Sequence, residues 1–289
     1  MPTITEFDTI FLSYDEPNAE KNYSDLLDKA PWAKRVHGVK GFDAAHRACA
    51  ELSETDWLIT VDADNIVRPE FFDLHLDEYF DVKANCISWN ALNAINGLSY
   101  GNGGLKLWRK SFLLNMACHE LARNPNQAVD FCWEGGYKNA MRTYSDVYNN
   151  ASPYQAFRVG FREGVKLSLD RGERVSGEMM SRILHPVNLR NLMIWSCVGS
   201  HIENGLWAMY GTRLAWSMML DMDWDHGVIK DFDWFNEFWI EHSDLSNEEL
   251  LHRCTMKQLL IENKTKIKIP LLAENESSFF KYAFTYRNE

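Results

Sequence analysis

Asp62 and Asp64 stand one residue apart at the end of an apolar run, in the stretch WLITVDADNIVRPEFF. Two carboxylates so close repel each other, and each wants hydration. A divalent cation resolves the conflict. Mg²⁺ or Mn²⁺ takes hard oxygen ligands and is usually held by one or two carboxylates plus the phosphates of a substrate. Placed there, it would act as a Lewis acid that stabilises a departing diphosphate. A plain loop of solvated acids is the competing reading, so the rest of the chain has to decide between them.

A second cluster lies forty residues on, in Tyr100-Gly101-Asn102-Gly103-Gly104. Three glycines in four positions let the backbone approach a ligand closely or take positive φ. Basic residues recur every fourth position at Arg158, Arg162 and Lys166. Phe157, Phe161 and Val165 share that period one residue earlier and should face a core.

The elements that position these groups alternate. Thr9–Leu12 reads as a strand ending in Ser13-Tyr14-Asp15-Glu16-Pro17-Asn18, and Glu20–Ala30 has helical spacing. Arg35–Val36 forms a short strand before His37-Gly38-Val39-Lys40-Gly41, and Asp43 is expected to cap a helix through Leu52. Trp57–Val61 is the next strand, and Cys86–Trp89 another. This alternation predicts an α/β layer with a mainly parallel sheet flanked by helices. In such sheets ligands bind beyond the carboxyl ends of the strands, so the loops after Leu12, Val36 and Val61 should lie side by side. Ser152 and Pro153 open a helix as cap and first-turn residue. From Asn188 to Leu220 the pattern is helical with a break near Gly199. Asp231–Trp239 is an aromatic-rich amphipathic helix, and a polar helix and the Lys-rich stretch Lys264–Lys268 follow.

Composition narrows the classes. The chain has 289 residues, 46% hydrophobic, enough for one large core. Asp221–Leu251 holds ten acids against Lys230, which accounts for −9 of the net charge of −11. The remaining −2 leaves room for a basic patch elsewhere, so nucleic acid is not excluded as a partner. Six cysteines (Cys49, Cys86, Cys118, Cys132, Cys197, Cys254) lie far apart and read as core thiols in a reducing compartment. No apolar run is long enough for a membrane span and no signal peptide opens the sequence, so a cytoplasmic protein without membrane contact is expected.

In combination, SYDEPN after the first strand, RVHGVKG, a strand ending in VDAD, and YGNGGLKLW resemble the GT-A-type (Rossmann-like) glycosyltransferases with their Asp-x-Asp metal site. More narrowly, with SPYQAFRVGFREGVKL and ENGLWAMYGTRLAW, the chain is similar to phage glycosyltransferases associated with hydroxymethylpyrimidine modification of DNA. The likeness covers Phe7 to Trp239. It implies a donor half over about residues 1–110, an acceptor half over 111–245, and a helical, basic tail over 246–289.

The resemblance also implies roles. A nucleotide-sugar, UDP-linked by expectation, donates to the hydroxyl of a 5-hydroxymethylpyrimidine or similar base in double-stranded DNA, with Mn²⁺ or Mg²⁺ as cofactor; a phage-encoded enzyme would work in the cytoplasm of the infected host. Asp62 and Asp64 would be metal ligands, Asp62 also touching the donor, with His201 as third ligand and His185 and His226 as rivals. Ser13, Tyr14, Asp15, Asn18, His37 and Lys40 would line the nucleotide pocket, with Tyr14 stacking on the base and Lys40 meeting phosphate. Asn102, Gly103 and Gly104 would meet the sugar. Asp130, Glu134 and Glu163 are candidates for a carboxylate at the acceptor hydroxyl, a general base if the reaction inverts the anomeric centre. Arg158, Arg162 and Lys166 would meet DNA phosphates, extended by Arg142, Arg171, Arg174 and Arg182. Two other readings stay open: the same fold acting on a protein or saccharide acceptor, and a non-enzymatic module that binds DNA or a partner.

Overall fold

The computed structural model describes residues 2–76, 83–101, 104–122 and 135–286. Its first half alternates as expected: β1 (Asp8–Ser13), α1 (Ala19–Lys29), β2 (Lys34–His37), α2 (Phe42–Leu52) and β3 (Trp57–Asp62). A short β4 (Asn65–Val67) follows, then β5 (Cys86–Asn93), β6 (Ser99–Tyr100), β7 (Lys106–Arg109), α3 (Lys110–Leu113) and the long β8 (Tyr137–Val147). The second half is largely helical: α4 (Pro153–Leu167), a small hairpin of β9 (Leu169–Asp170) and β10 (Glu173–Arg174), α5 (Met180–Ile183), α6 (Pro186–Cys197), α7 (Gly205–Met219), α8 (Phe232–Ile240), α9 (Asn247–Thr265) and α10 (Glu274–Tyr286).

The main sheet runs β2-β1-β3-β7-β5-β8-β4, with β6 on β5. β1 pairs in parallel with β2 and β3, and β5 with β8; the joins β3–β7, β5–β7, β4–β8 and β5–β6 are antiparallel. The α/β class with flanking helices is therefore as the alternation predicts. β3 lies between β1 and β7, with Leu58, Ile59, Thr60 and Val61 fully buried. This is why its sequence is a continuous apolar run and not an alternating one. Its one polar interior residue is satisfied, since Trp108 Nε1 donates to Thr60 Oγ1 at 2.9 Å.

Register brings the strand ends together. Leu12 pairs with Asp62, and Ser13 with His37, so the loops after β1, β2 and β3 share one edge of the sheet. Asp43 does not cap α2; Gly41 holds the N-cap position with φ 101°. The Asp43 carboxylate is fully buried and accepts from the backbone N–H of Cys118, His119 and Leu121 at 2.9 to 3.0 Å. It fastens the segment after α3 to the start of α2.

In the helical half, Ser152 caps α4 by accepting from Gln155 N, and Phe157, Phe161 and Val165 are fully buried. α4 and α7 lie backbone to backbone. A Cβ on Gly160 would overlap the carbonyl of Ala208, and one on Gly211 the carbonyl of Phe157. α6 and α7 are separated around Gly199, where the helical pattern breaks. The expected boundary at 245 falls within one hydrophobic core, because Leu250, Cys254, Ile261, Ile267 and Ile269 pack with residues of α4 and α7. The fully buried Arg213 of α7 fixes that packing. Its guanidinium donates to the carbonyls of Ser196, Cys254 and Ile269 at 2.8, 3.0 and 3.3 Å. β8 and α10 were not foreseen. The five described cysteines are buried free thiols, and no described helix is long and apolar enough to cross a membrane.

Candidate active site

Asp62 ends β3 and Asp64 lies in the turn that leads into β4. Several bonds hold that turn. Asn22 of α1 donates to the Ala63 carbonyl at 2.7 Å, and Tyr148 N donates to the Asp64 carbonyl at 2.7 Å. Asn65 Nδ2 donates to the Asp64 carboxylate at 2.8 Å and is itself held by Ser145 Oγ at 3.0 Å. On the other side Gly104 presses against Asp62. A Cβ there would overlap the Cβ, carboxyl carbon and Oδ2 of Asp62, while Asp62 N donates to the Gly104 carbonyl at 3.3 Å. The glycine is required by the carboxylate beside it.

Electrostatics reflect the crowding. Burial pushes the Asp62 carboxyl above its usual range; Lys106 opposes this and Glu16 adds to it. Asp64 is pushed up to about 7, first by burial and then by repulsion from Asp62 and Glu16, with the Asn65 amide pulling the other way. A cation would relieve this repulsion, and the oxygen-only donor pair suits Mg²⁺ or Mn²⁺. Among the described residues no third His, Cys, Asp or Glu joins the pair.

Two cavities meet at these carboxylates. The first, of about 180 Å³, is bounded by Ser13, Tyr14, Lys40, Phe42, His46 and Asp62, among others. The second, of about 160 Å³, is bounded by His119, Asn149, Gln155, Arg158, Arg162 and Lys230, among others. Glu16, Phe42, Asp64 and Phe232 line both.

Of the expected donor residues, Ser13, Tyr14, Lys40, Asp62 and Gly104 gather here. Ser13 Oγ accepts from Arg35 Nε at 2.9 Å and bonds to His37 Nδ1 at 3.0 Å. The Tyr14 ring lies 5.8 Å from Phe232. Lys40 Nζ reaches both oxygens of Asp233, at 2.8 and 2.6 Å. His37 and Asp15 are exposed and line neither cavity. Asn18 donates to the Tyr148 carbonyl and faces a separate groove. Asn102, Gly103, Asp130 and Glu134 lie outside the described residues.

Three expectations change. His201 does not join the aspartates: its Nδ1 and Nε2 bond to Ser277 and Ser278 of α10, each at 3.1 Å. Its rivals are engaged elsewhere, His185 accepting from Val187 N and His226 from Arg174. Glu163 is not at the cleft. It is buried, pairs with Lys166 and accepts from the Tyr100 hydroxyl. The basic stripe is not an open face either. Arg158 and Arg162 turn into the second cavity, Lys166 is paired with Glu163, and Arg174 is tied to the carbonyls of Asp221 and Trp224.

Glu16, His46, Lys106, Asn149, Lys230 and Phe232 escaped sequence reasoning as site residues. Glu16 sat within the quoted turn and could have been found there. Phe232 and Lys230 belong to the acidic segment, where no motif marks them, and only the docking of α8 brings them over the cleft.

No family model matches this chain, and no curated protein matches it. Among solved structures it is similar to the crystal structure of a glycosyltransferase involved in the glycosylation of the major capsid of PBCV-1. The identity is 13% and the TM-score 0.33, covering 50% of this chain and 94% of that one.

Proposed function

We propose that this chain is a metal-dependent glycosyltransferase that moves a sugar from a nucleotide-sugar to a hydroxylated pyrimidine in DNA. The observation that carries the transferase reading is the Asp62–Asp64 pair, set at the carboxyl end of β3 where β1 and β2 also end, with two cavities meeting at Asp64. Asp62 and Asp64 are the residues that would hold Mn²⁺ or Mg²⁺. When bound, the ion would neutralise a diphosphate and favour its departure. The protein's part is positional. Tyr14 and Phe232 offer ring faces to a nucleobase. Lys40 supplies a point charge for phosphate once it leaves Asp233. Lys106, buried next to Asp62, favours that carboxylate's ionised form.

The DNA-base acceptor is supported by the sequence likeness over the segments SPYQAFRVGFREGVKL and ENGLWAMYGTRLAW. One observation favours a protein or saccharide acceptor instead: Arg158, Arg162 and Lys166 do not form an open cationic face. A screen of nucleotide-sugars with Mn²⁺ tests the transferase reading through release of the nucleoside diphosphate. Nucleoside mass spectrometry after reaction with hydroxymethylcytosine DNA, hydroxymethyluracil DNA and unmodified DNA then tests the acceptor. Diphosphate release with no DNA product would overturn the DNA acceptor; no binding of any nucleotide-sugar would overturn the transferase.

A further inference from the structure

We infer that the second cavity seats the sugar of the donor, with Arg158 and Asn149 bonding its hydroxyls. This rests on the nucleotide-sugar reading above and names the residues that select the transferred group. The two cavities share Asp64, Phe42 and Phe232, so one molecule can run from the first into the second past Asp64. At about 160 Å³ the second is many times the roughly 10–15 Å³ of probe space that one water needs, so it can take a group of several non-hydrogen atoms.

Its polar equipment suits hydroxyl groups. Arg158 Nη1 and Asn149 Oδ1 are both buried and have no hydrogen-bond partner among the described residues. One can only donate and the other only accept. A phosphate or carboxylate would satisfy Arg158 and leave Asn149 Oδ1 unmet. A pair of hydroxyls satisfies both, one oxygen accepting from Arg158 and the other donating its proton to Asn149. The Arg158 side chain and the backbone at Asn149 are held in place. The Arg158 guanidinium lies 4.8 Å from the centre of the Phe232 ring and 5.4 Å from that of Tyr154. Asn149 follows Tyr148, whose N–H is bonded to the Asp64 carbonyl, so its position is tied to the aspartate turn.

The test compares binding of a nucleotide-sugar with binding of its own nucleoside diphosphate, both in Mn²⁺, for the wild type, Arg158→Lys and Asn149→Ala. Arg158→Lys keeps the charge but has no planar fork to set an N–H where Nη1 stands, and thermal unfolding checks that each variant is folded. Loss of one such bond should weaken nucleotide-sugar binding by about tenfold and leave the nucleoside diphosphate within about twofold. Equal weakening of both ligands would place these residues on the diphosphate and overturn the inference. Unchanged binding of both, with a raised KM for the acceptor, would give the cavity to the acceptor and overturn it equally. The wild-type arm reads the parent proposal separately: binding of no nucleotide-sugar there sinks that proposal, whatever the variants do.

Discussion

The side chain of Asp62 fills the space that a β-carbon on Gly104 would need, overlapping it at Cβ, the carboxyl carbon and Oδ2. β3 and β7 are paired up to Thr60 and Lys106, and the contact forms just past that pairing. Gly104→Ala must therefore displace either the carboxylate or the end of β7. Overpacking of this kind costs about 1–3 kcal/mol. The expected result is a modest fall in the unfolding midpoint with a much larger loss of divalent-ion-dependent diphosphate release, read by denaturation and by turnover. Unchanged turnover would show that Asp62 can move without consequence.

Removing one charge of the aspartate pair should separate stability from function. Burial and mutual repulsion disfavour the ionised pair in the folded protein. Asp64→Asn should therefore unfold at a higher temperature than the wild type in metal-free buffer. The wild type should gain stability with Mn²⁺ through binding to the folded state alone, and the variant should gain far less. Differential scanning fluorimetry with and without the ion checks both.

His46 predicts a pH dependence. It is fully buried, its Nδ1 bonds to the Phe42 carbonyl at 2.9 Å, and its ring packs on Phe42. Burial pulls its pKa down to about 4, with Lys106 pushing the same way and the Phe42 carbonyl and Asp43 opposing. The folded protein thus stays unprotonated at His46 while the unfolded chain takes up a proton near pH 6.5. Stability from this residue is complete above pH 6.5 and is lost as pH falls from there towards 4, by about 3 kcal/mol in all. His46→Gln should flatten that part of the curve in urea denaturation between pH 4 and 7.

Arg213 joins α7 to the C-terminal segment. Arg213→Leu would leave the carbonyls of Ser196, Cys254 and Ile269 without their donor in a dry interior. A loss of about 1–3 kcal/mol is expected, the cost of leaving buried acceptors short of a donor. Limited proteolysis should then cut between residues 246 and 270 first. A wild-type cleavage pattern would mean that α9 is held by its apolar face alone.

Lys40 and Asp233 are both exposed, so their ion pair should contribute little to folding. Lys40→Ala is expected to leave the unfolding midpoint in place and to weaken binding of a nucleoside diphosphate, more so at low salt. Isothermal titration at two ionic strengths measures this. Equal affinity for wild type and variant would remove Lys40 from the phosphate site.

The sequence by itself determined the local facts. The apolar run Trp57–Val61 had to be a buried strand, and alternation with α1 and α2 required β1 to β3 to end along one edge. It also marked Asp62 and Asp64 as charges needing a partner, because two carboxylates one residue apart cannot both be comfortable at the end of a buried strand. β8 was hidden because polar, half-exposed residues interrupt its pattern, with Met141 at φ 59° inside it. What lies across the cleft depended on packing between distant segments. Arg158 and Arg162 read as an open stripe for DNA phosphates because helical period fixes which residues share a face, not what that face meets. Only the docking of α8 and the segment before it made that face a cavity wall beside Asp64, and only the serines of α10 drew His201 away from the aspartates.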